Sequence, residues 1–216
     1  MLTLRPDRVA CVSVVLYWRP GTASMAPHAA LAEIGAEYRL IEIGREEAQG
    51  EESYRELNPL GMVPTLVDDE SGLVLTESAA ILLWLGDRYP ESQLAPADRS
   101  DYYRWLVFMT NTVQTAMMRL FFPERYGDVD TVTAAAARDA AEAFDIVDRA
   151  LEGRTWLAAE HRTGADLFLF MVTRWGRRLE PAAWERPNLR RHFLATLELP
   201  GVRRMIDEQA LEVPSL

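Results

Sequence analysis

Strand signals crowd the first ninety residues of this chain and nearly vanish beyond a stretch at residues 90–98, Pro-Glu-Ser-Gln-Leu-Ala-Pro-Ala-Asp, so two units of different class share one polypeptide. Ahead of that stretch, residues 13–18 are β-branched and aromatic and end at the turn signal Arg19-Pro20-Gly21. Residues 24–35 place Ala29, Ala30, Leu31 and Ile34 at helical spacing behind a serine N-cap, with Pro27 in the first turn and Gly35 at the end. Residues 38–43 alternate as a strand does, and strand, helix and strand in such close succession predict a right-handed parallel crossover. An acidic, polar segment at 46–56 reads as a weak helix or loop. Residues 58–67 turn into a strand, 69–72 make a hairpin turn, and 73–75 return. Thr76-Glu77-Ser78 then caps a helix whose apolar face is Ile81, Leu82 and Leu85.

Beyond residue 98 the pattern is helical throughout, at roughly 99–122, 130–151, 163–178, 187–197 and 200–209. The expected organisation is an α/β domain at 1–89 with a leader at 1–11, a linker at 90–98, and an all-helical domain at 99–216.

Charge removes several functional classes. The chain of 216 residues holds 23 basic and 33 acidic residues, a formal net charge of −10, which disfavours nucleic acid and anionic membrane surfaces as partners. Every basic residue is arginine, so Schiff-base, P-loop and lysine general-base chemistry have no residue to run on. A single cysteine, Cys11, excludes an internal disulfide and a Cys-rich zinc site and fits a reducing, cytoplasmic setting. The apolar run at 9–18 is too short to span a bilayer. His28, His161 and His192 lack metal-ligand spacing, so no metal is expected.

Four segments stand out, in the order Leu16-Tyr17-Trp18-Arg19-Pro20-Gly21-Thr22-Ala23-Ser24-Met25-Ala26-Pro27-His28, Asn58-Pro59-Leu60-Gly61-Met62-Val63-Pro64-Thr65-Leu66, Leu75-Thr76-Glu77-Ser78-Ala79-Ala80-Ile81, and Thr163-Gly164-Ala165-Asp166-Leu167. Together with the βαβ-ββα module and the helical domain behind it, they resemble the cytosolic glutathione S-transferases. The first segment is similar to that of the bacterial beta class. The resemblance implies a thioredoxin-like first domain that binds glutathione, a helical second domain that forms the pocket for an apolar electrophile, and a homodimer. It also implies a cis Pro64 that lets Val63 pair with the peptide of glutathione, and places Glu77 and Ser78 at its γ-glutamyl end.

Ser24 is the expected donor to the glutathione thiolate. A helix N-terminus favours negative charge, and lowering a thiol pKa of about 8.5 by about two units takes roughly 2.7 kcal/mol. Serine also caps helices with no catalytic role, and Tyr17 is a second hydroxyl at the strand end. Arg19 either supplies positive charge to the sulfur or substrate or is a solvated turn residue. Beta-class enzymes carry a cysteine where Ala23 stands, and many relatives carry a lysine at Leu60, so this chain departs from the family at both positions. Met109, Val113 and Met117 recur every four residues, as pocket lining, core or dimer interface. Thr163 and Asp166 form a structural capping box. The expected function is conjugation of glutathione to an electrophile. A glutathione-dependent isomerase or peroxidase would use the same site, and a non-catalytic binding module would keep the same scaffold.

Overall fold

The computed structural model describes residues 14–213; the leader at 1–11, with Cys11, and the expected strand start at Ser13 lie outside the described residues. The chain runs β1 (Val14–Trp18), α1 (Met25–Ile34), β2 (Tyr38–Glu42), α2 (Arg45–Gly50), α3 (Glu52–Leu57), β3 (Thr65–Asp68), β4 (Leu73–Thr76) and α4 (Ser78–Arg88). Then follow α5 (Ser100–Phe108), α6 (Thr115–Phe121), α7 (Val129–Ala150), α8 (Gly164–Trp175), α9 (Pro187–Leu197) and α10 (Pro200–Glu208). The acidic segment at 46–56 thus holds two short helices, α2 and α3, and buries only Ala48 and Tyr54 from them.

The four strands lie in the order β2-β1-β3-β4, with β1 parallel to β2 and antiparallel to β3, which is antiparallel to β4. This is the βαβ-ββα module the sequence predicts. Alternation along β1 divides its side chains between two layers. Val14, Leu16 and Trp18 enter the main core with α1 and α4, whereas Tyr17 turns to a smaller cluster of Ile43, Ala48, Tyr54 and Val63 beneath α2 and α3. Gly35 closes α1 in the left-handed conformation at φ 73°, open to glycine without a Cβ penalty.

The segment at 90–98 is packed rather than free-running. Leu94 is fully buried, its carbonyl accepts from the Gly164 N–H at 2.8 Å, and the Ser92 carbonyl accepts from Arg162 Nη1 at 2.9 Å. The two domains share one core: α1 packs on α8 and α10 as well as on α4. Glu33, near the end of α1, accepts from the Gly201 N–H at 2.7 Å and from Arg162 Nε at 2.9 Å. Helix α8 is buried along its whole length because α1, α4, α5 and α9 all pack against it.

The capping box ahead of α8 is present and extends further than the local motif. Asp166 accepts from the Thr163 N–H at 2.7 Å and hydroxyl at 2.9 Å, and also from the Leu157 N–H at 2.8 Å and His192 Nε2 at 3.0 Å. No helix among the described residues is long and apolar enough to cross a membrane.

Candidate active site

A cavity of about 590 Å³ opens between the two domains. The first domain contributes the turn after β1 (Arg19, Gly21, Thr22, Ala23), Arg45 at the start of α2, the segment before β3 with Val63 and Pro64, and Thr76, Glu77 and Ser78 at the head of α4. The second contributes Gln114, Met118, Phe121 and Phe122 from one helical face and Trp175, Arg177 and Arg178 from the end of α8. A volume of this size suits a small molecule.

Ser24 does not reach this cavity, contrary to the sequence expectation. It is 0% exposed, and its Oγ donates to the Arg19 carbonyl at 3.0 Å, lies 3.0 Å from Thr22 Oγ1 and accepts from the Arg19 N–H at 3.3 Å. It therefore ties the turn together, with no side-chain cap on α1. Among the residues of this turn, Thr22 lines the cavity; its hydroxyl donates to the Arg19 carbonyl at 2.8 Å, an acceptor it shares with Ser24 Oγ. Tyr17 is likewise absent from the wall, because strand alternation turns its ring onto Tyr54 at 5.3 Å between centroids.

Arg19 lines the cavity as expected. Its Nη1 is buried with no partner in the chain among the described residues. Burial first, and the charge of Arg45 second, hold its guanidinium below the ordinary arginine range, although an arginine stays charged across the working pH range. This is the unsatisfied donor a bound anion would complete.

Val63 and Pro64 are joined by a cis peptide bond and both face the cavity. The preceding loop is held by Asn58, which donates to the Met62 carbonyl at 2.8 Å, and by the Tyr54 hydroxyl, which donates to the same carbonyl at 2.5 Å. Gly61 sits at φ 59° where a Cβ would lie 2.7 Å from the Ala48 carbonyl oxygen, so only glycine lets α2 come this close. Neither main-chain hydrogen-bonding group of Val63 has a partner in the chain among the described residues.

Glu77 and Ser78 also line the cavity, at the N-terminus of α4. Glu77 holds φ 67°, a conformation that non-glycine residues adopt at a cost and that concentrates at binding sites. The Ser78 hydroxyl donates to the Ala23 carbonyl at 2.7 Å, locking this helix start to the turn after β1.

Met109 and Val113 are corrected from pocket to core: both are 0% exposed, with Met117 behind them. A π-helical turn at Met109–Gln114 interrupts the run that the sequence presents as one helix, and its wider spacing sets a different face toward the cavity. That face carries Gln114, Met118 and Phe121.

Sequence reasoning missed the second domain's arginines and a support network behind the turn. Gln209 Oε1 accepts from the Gly21 N–H at 3.1 Å while its amide nitrogen sits 3.0 Å from His28 Nδ1. His28 Nε2 lies 2.6 Å from a Glu208 carboxylate oxygen. The amide orientation makes Nδ1 the acceptor and Nε2–H the donor, so the neutral imidazole satisfies every partner. Trp175 Nε1 donates to the Gly21 carbonyl at 2.9 Å from the other side. No local pattern joins residues so far apart in sequence.

Burial, opposed by Glu208, holds His28 below the ordinary histidine range. The unfolded chain then binds a proton that the folded protein refuses once pH falls through about 6.5. Stability should be level above about pH 7.5 and decline from about 6.5 downward to the folded pKa. Thermal unfolding across this range will show the slope, and His28→Gln will remove its histidine part; an identical slope in the variant would place the effect elsewhere. Among the described residues no group of three His, Cys, Asp or Glu side chains is arranged to hold a metal ion.

Comparison with known proteins places this geometry in context. Residues 23–88 match the family model of the glutathione S-transferase N-terminal domain, and residues 108–200 match that of the C-terminal domain. Glutathione S-transferase GstA of Escherichia coli O157:H7 is 30% identical over 166 residues, covering 74% of this chain and 81% of its own. A sphingomonad glutathione S-transferase solved in complex with glutathione is 31% identical, with a TM-score of 0.79 over 92% of this chain and 100% of its own. The bacterial beta class glutathione S-transferase of Sphingomonas chungbukensis is 29% identical, with a TM-score of 0.83 over the same shares, 92% and 100%.

Proposed function

The chain belongs to the glutathione S-transferase family, and we propose on that basis that it is an enzyme conjugating the glutathione thiolate to an electrophilic small molecule held between its two domains. One observation carries this reading: Val63, whose main-chain groups have no partner among the described residues, lines the same cavity as Glu77 at the head of α4. An extended tripeptide can pair its backbone with the first and its terminal ammonium with the second. The Ser78 end of α4 supplies N–H donors to the adjoining α-carboxylate. Arg45, the other first-domain arginine on the wall, stacks its guanidinium 4.5 Å from the centroid of Phe122 and is assigned to the glycine carboxylate in the absence of a lysine at Leu60.

For the sulfur we assign Thr22 in place of Ser24: Thr22 lines the cavity and Ser24 does not, and turning the Thr22 O–H from the Arg19 carbonyl to the sulfur leaves that carbonyl its bond from Ser24 Oγ. Arg19, with its unpartnered Nη1, adds positive charge, and the N-terminus of α1 adds its partial charge. The chain's part in catalysis is to hold the thiolate, position the electrophile against it and keep both oriented. Met118, Phe121, Phe122 and Trp175 offer the electrophile an apolar, aromatic wall. Cytoplasmic location is supported by the single cysteine, and a role in detoxification by the reaction class. A homodimer is supported by Tyr103 and Val107, neighbours one turn apart on the exposed face of α5.

The test is retention on immobilised glutathione followed by turnover of 1-chloro-2,4-dinitrobenzene. Retention without turnover of any electrophile would make the protein a binding module instead. Thr22→Val is expected to raise the pKa of bound glutathione by about one unit, leaving about a tenth of the thiolate at pH values below both pKa values. Greater nucleophilicity of the more basic sulfur offsets part of this, so the rate there should fall about threefold and recover at high pH. Ser24→Ala should lower thermal stability and leave the pH profile in place; the opposite pattern would return the role to Ser24.

A further inference from the structure

We infer that the electrophile itself is an anion, with an apolar or aromatic body and a carboxylate that Arg177 and Arg178 receive at the mouth of the cavity. The inference rests on the transferase reading and names the substrate class of that site. Among the described residues four arginines, Arg19, Arg45, Arg177 and Arg178, line the cavity against one carboxylate, Glu77, in a chain whose net charge is −10. Among the described residues eight of the other seventeen arginines pair with carboxylates and none of these four does; what sets the four apart is that they converge on one cavity. Bound glutathione thiolate brings two carboxylates, a sulfur anion and an ammonium, so Glu77 is assigned to the ammonium and the two first-domain arginines, Arg19 and Arg45, to the sulfur and a carboxylate. The pair on the second domain is left over.

Position supports the assignment. Arg177 and Arg178 follow α8 directly and stand beside the aromatic wall, the Arg178 guanidinium carbon 4.8 Å from the centroid of Phe121. Arg177 Nη1 donates to the Arg174 carbonyl at 2.9 Å, which fixes the side chain and leaves the rest of its fork open. Burial first and Arg178 second hold the Arg177 guanidinium below the ordinary range, and Arg174 is held low by burial and by Arg177. Three crowded cations repel one another, and an anion between them relieves this. The helix C-terminus favours positive charge but is served by Arg174 and Arg177; it does not require Arg178 to face the cavity.

The experiment compares 4-chloro-3,5-dinitrobenzoate with its neutral carboxamide at saturating glutathione, each rate divided by its uncatalysed rate. In both, the sulfur forms the C–S bond, the C–Cl bond breaks, chloride leaves with the electron pair, and the thiol proton goes to solvent. The carboxylate should be preferred about tenfold or more in kcat/KM, and Arg177→Gln with Arg178→Gln should bring that ratio to about twofold or less. Calorimetric binding of the two corresponding S-aryl glutathione conjugates reads the same preference without turnover. Equal ratios with turnover of both substrates would overturn the inference and leave the transferase standing. A raised KM for glutathione with an unchanged ratio would also overturn it, since the arginines would then serve the tripeptide. Carboxylate-selective binding of the conjugate with no turnover would sink the transferase reading and keep the anion site.

Discussion

Asp166→Ala is expected to cost about 3–5 kcal/mol of folding stability and to lower Tm by about 10 °C or more. The carboxylate is fully buried and accepts from four donors, two of them main-chain N–H groups. Its removal leaves the Leu157 N–H, the Thr163 N–H and hydroxyl and the His192 ring without an acceptor, in a region with no water access to compensate. Each stranded donor costs about 1–3 kcal/mol, and partial relaxation keeps the total below their sum. The loss is a large share of the roughly 5–15 kcal/mol that holds a typical domain together. Because α8 is the common wall of the bundle, the damage spreads beyond one helix end. Asp166→Asn keeps one acceptor oxygen and should lose about half as much or less. A Tm within about 2 °C of the parent for the alanine variant would show the network to be dispensable.

Glu77→Gln is expected to raise the KM for glutathione about 10- to 100-fold while kcat at saturation changes little. The side chain keeps its length and shape, so α4 should start where it does now and the fold should hold. What disappears is the negative charge of the one carboxylate that the described residues place on the cavity wall, the group assigned to the tripeptide's ammonium. A charge-assisted bond of this kind is worth about 1.5–3 kcal/mol, and it acts equally on bound glutathione before and during reaction. Uniform binding lost in this way appears in KM. The readout is initial rate against glutathione at fixed aryl halide, with glutathione affinity measured separately by calorimetry. If affinity were unchanged, the orientation of the tripeptide proposed here would be wrong.

Ala23 and Leu60 both lie on the cavity wall. Ala23 stands beside Thr22. Leu60 is 72% exposed on the wall, and the positive charge of the site comes from arginines on other elements.

Local composition, periodicity and capping chemistry determined the elements: the β-branched and aromatic run of 14–18, the alternation of 38–42, the Gly35 stop, the Thr163–Asp166 box and the change of class after residue 98 all act over a few residues. The family motifs located the cis Val63–Pro64 bond and the Glu77–Ser78 helix start on the cavity. Which side chain faces the cavity was settled by packing. Tyr17 was turned away by the pleat, Ser24 was drawn inward by the Arg19 main chain, and Met109 and Val113 were set into the core by a π-helical turn that no four-residue spacing reveals. The contacts that hold Gly21, from Gln209 and Trp175, and the arginines brought in behind α8 cross more than 150 residues of sequence. Side-chain spacing encodes a face of an element, whereas the direction of that face is fixed only when the elements close on one another.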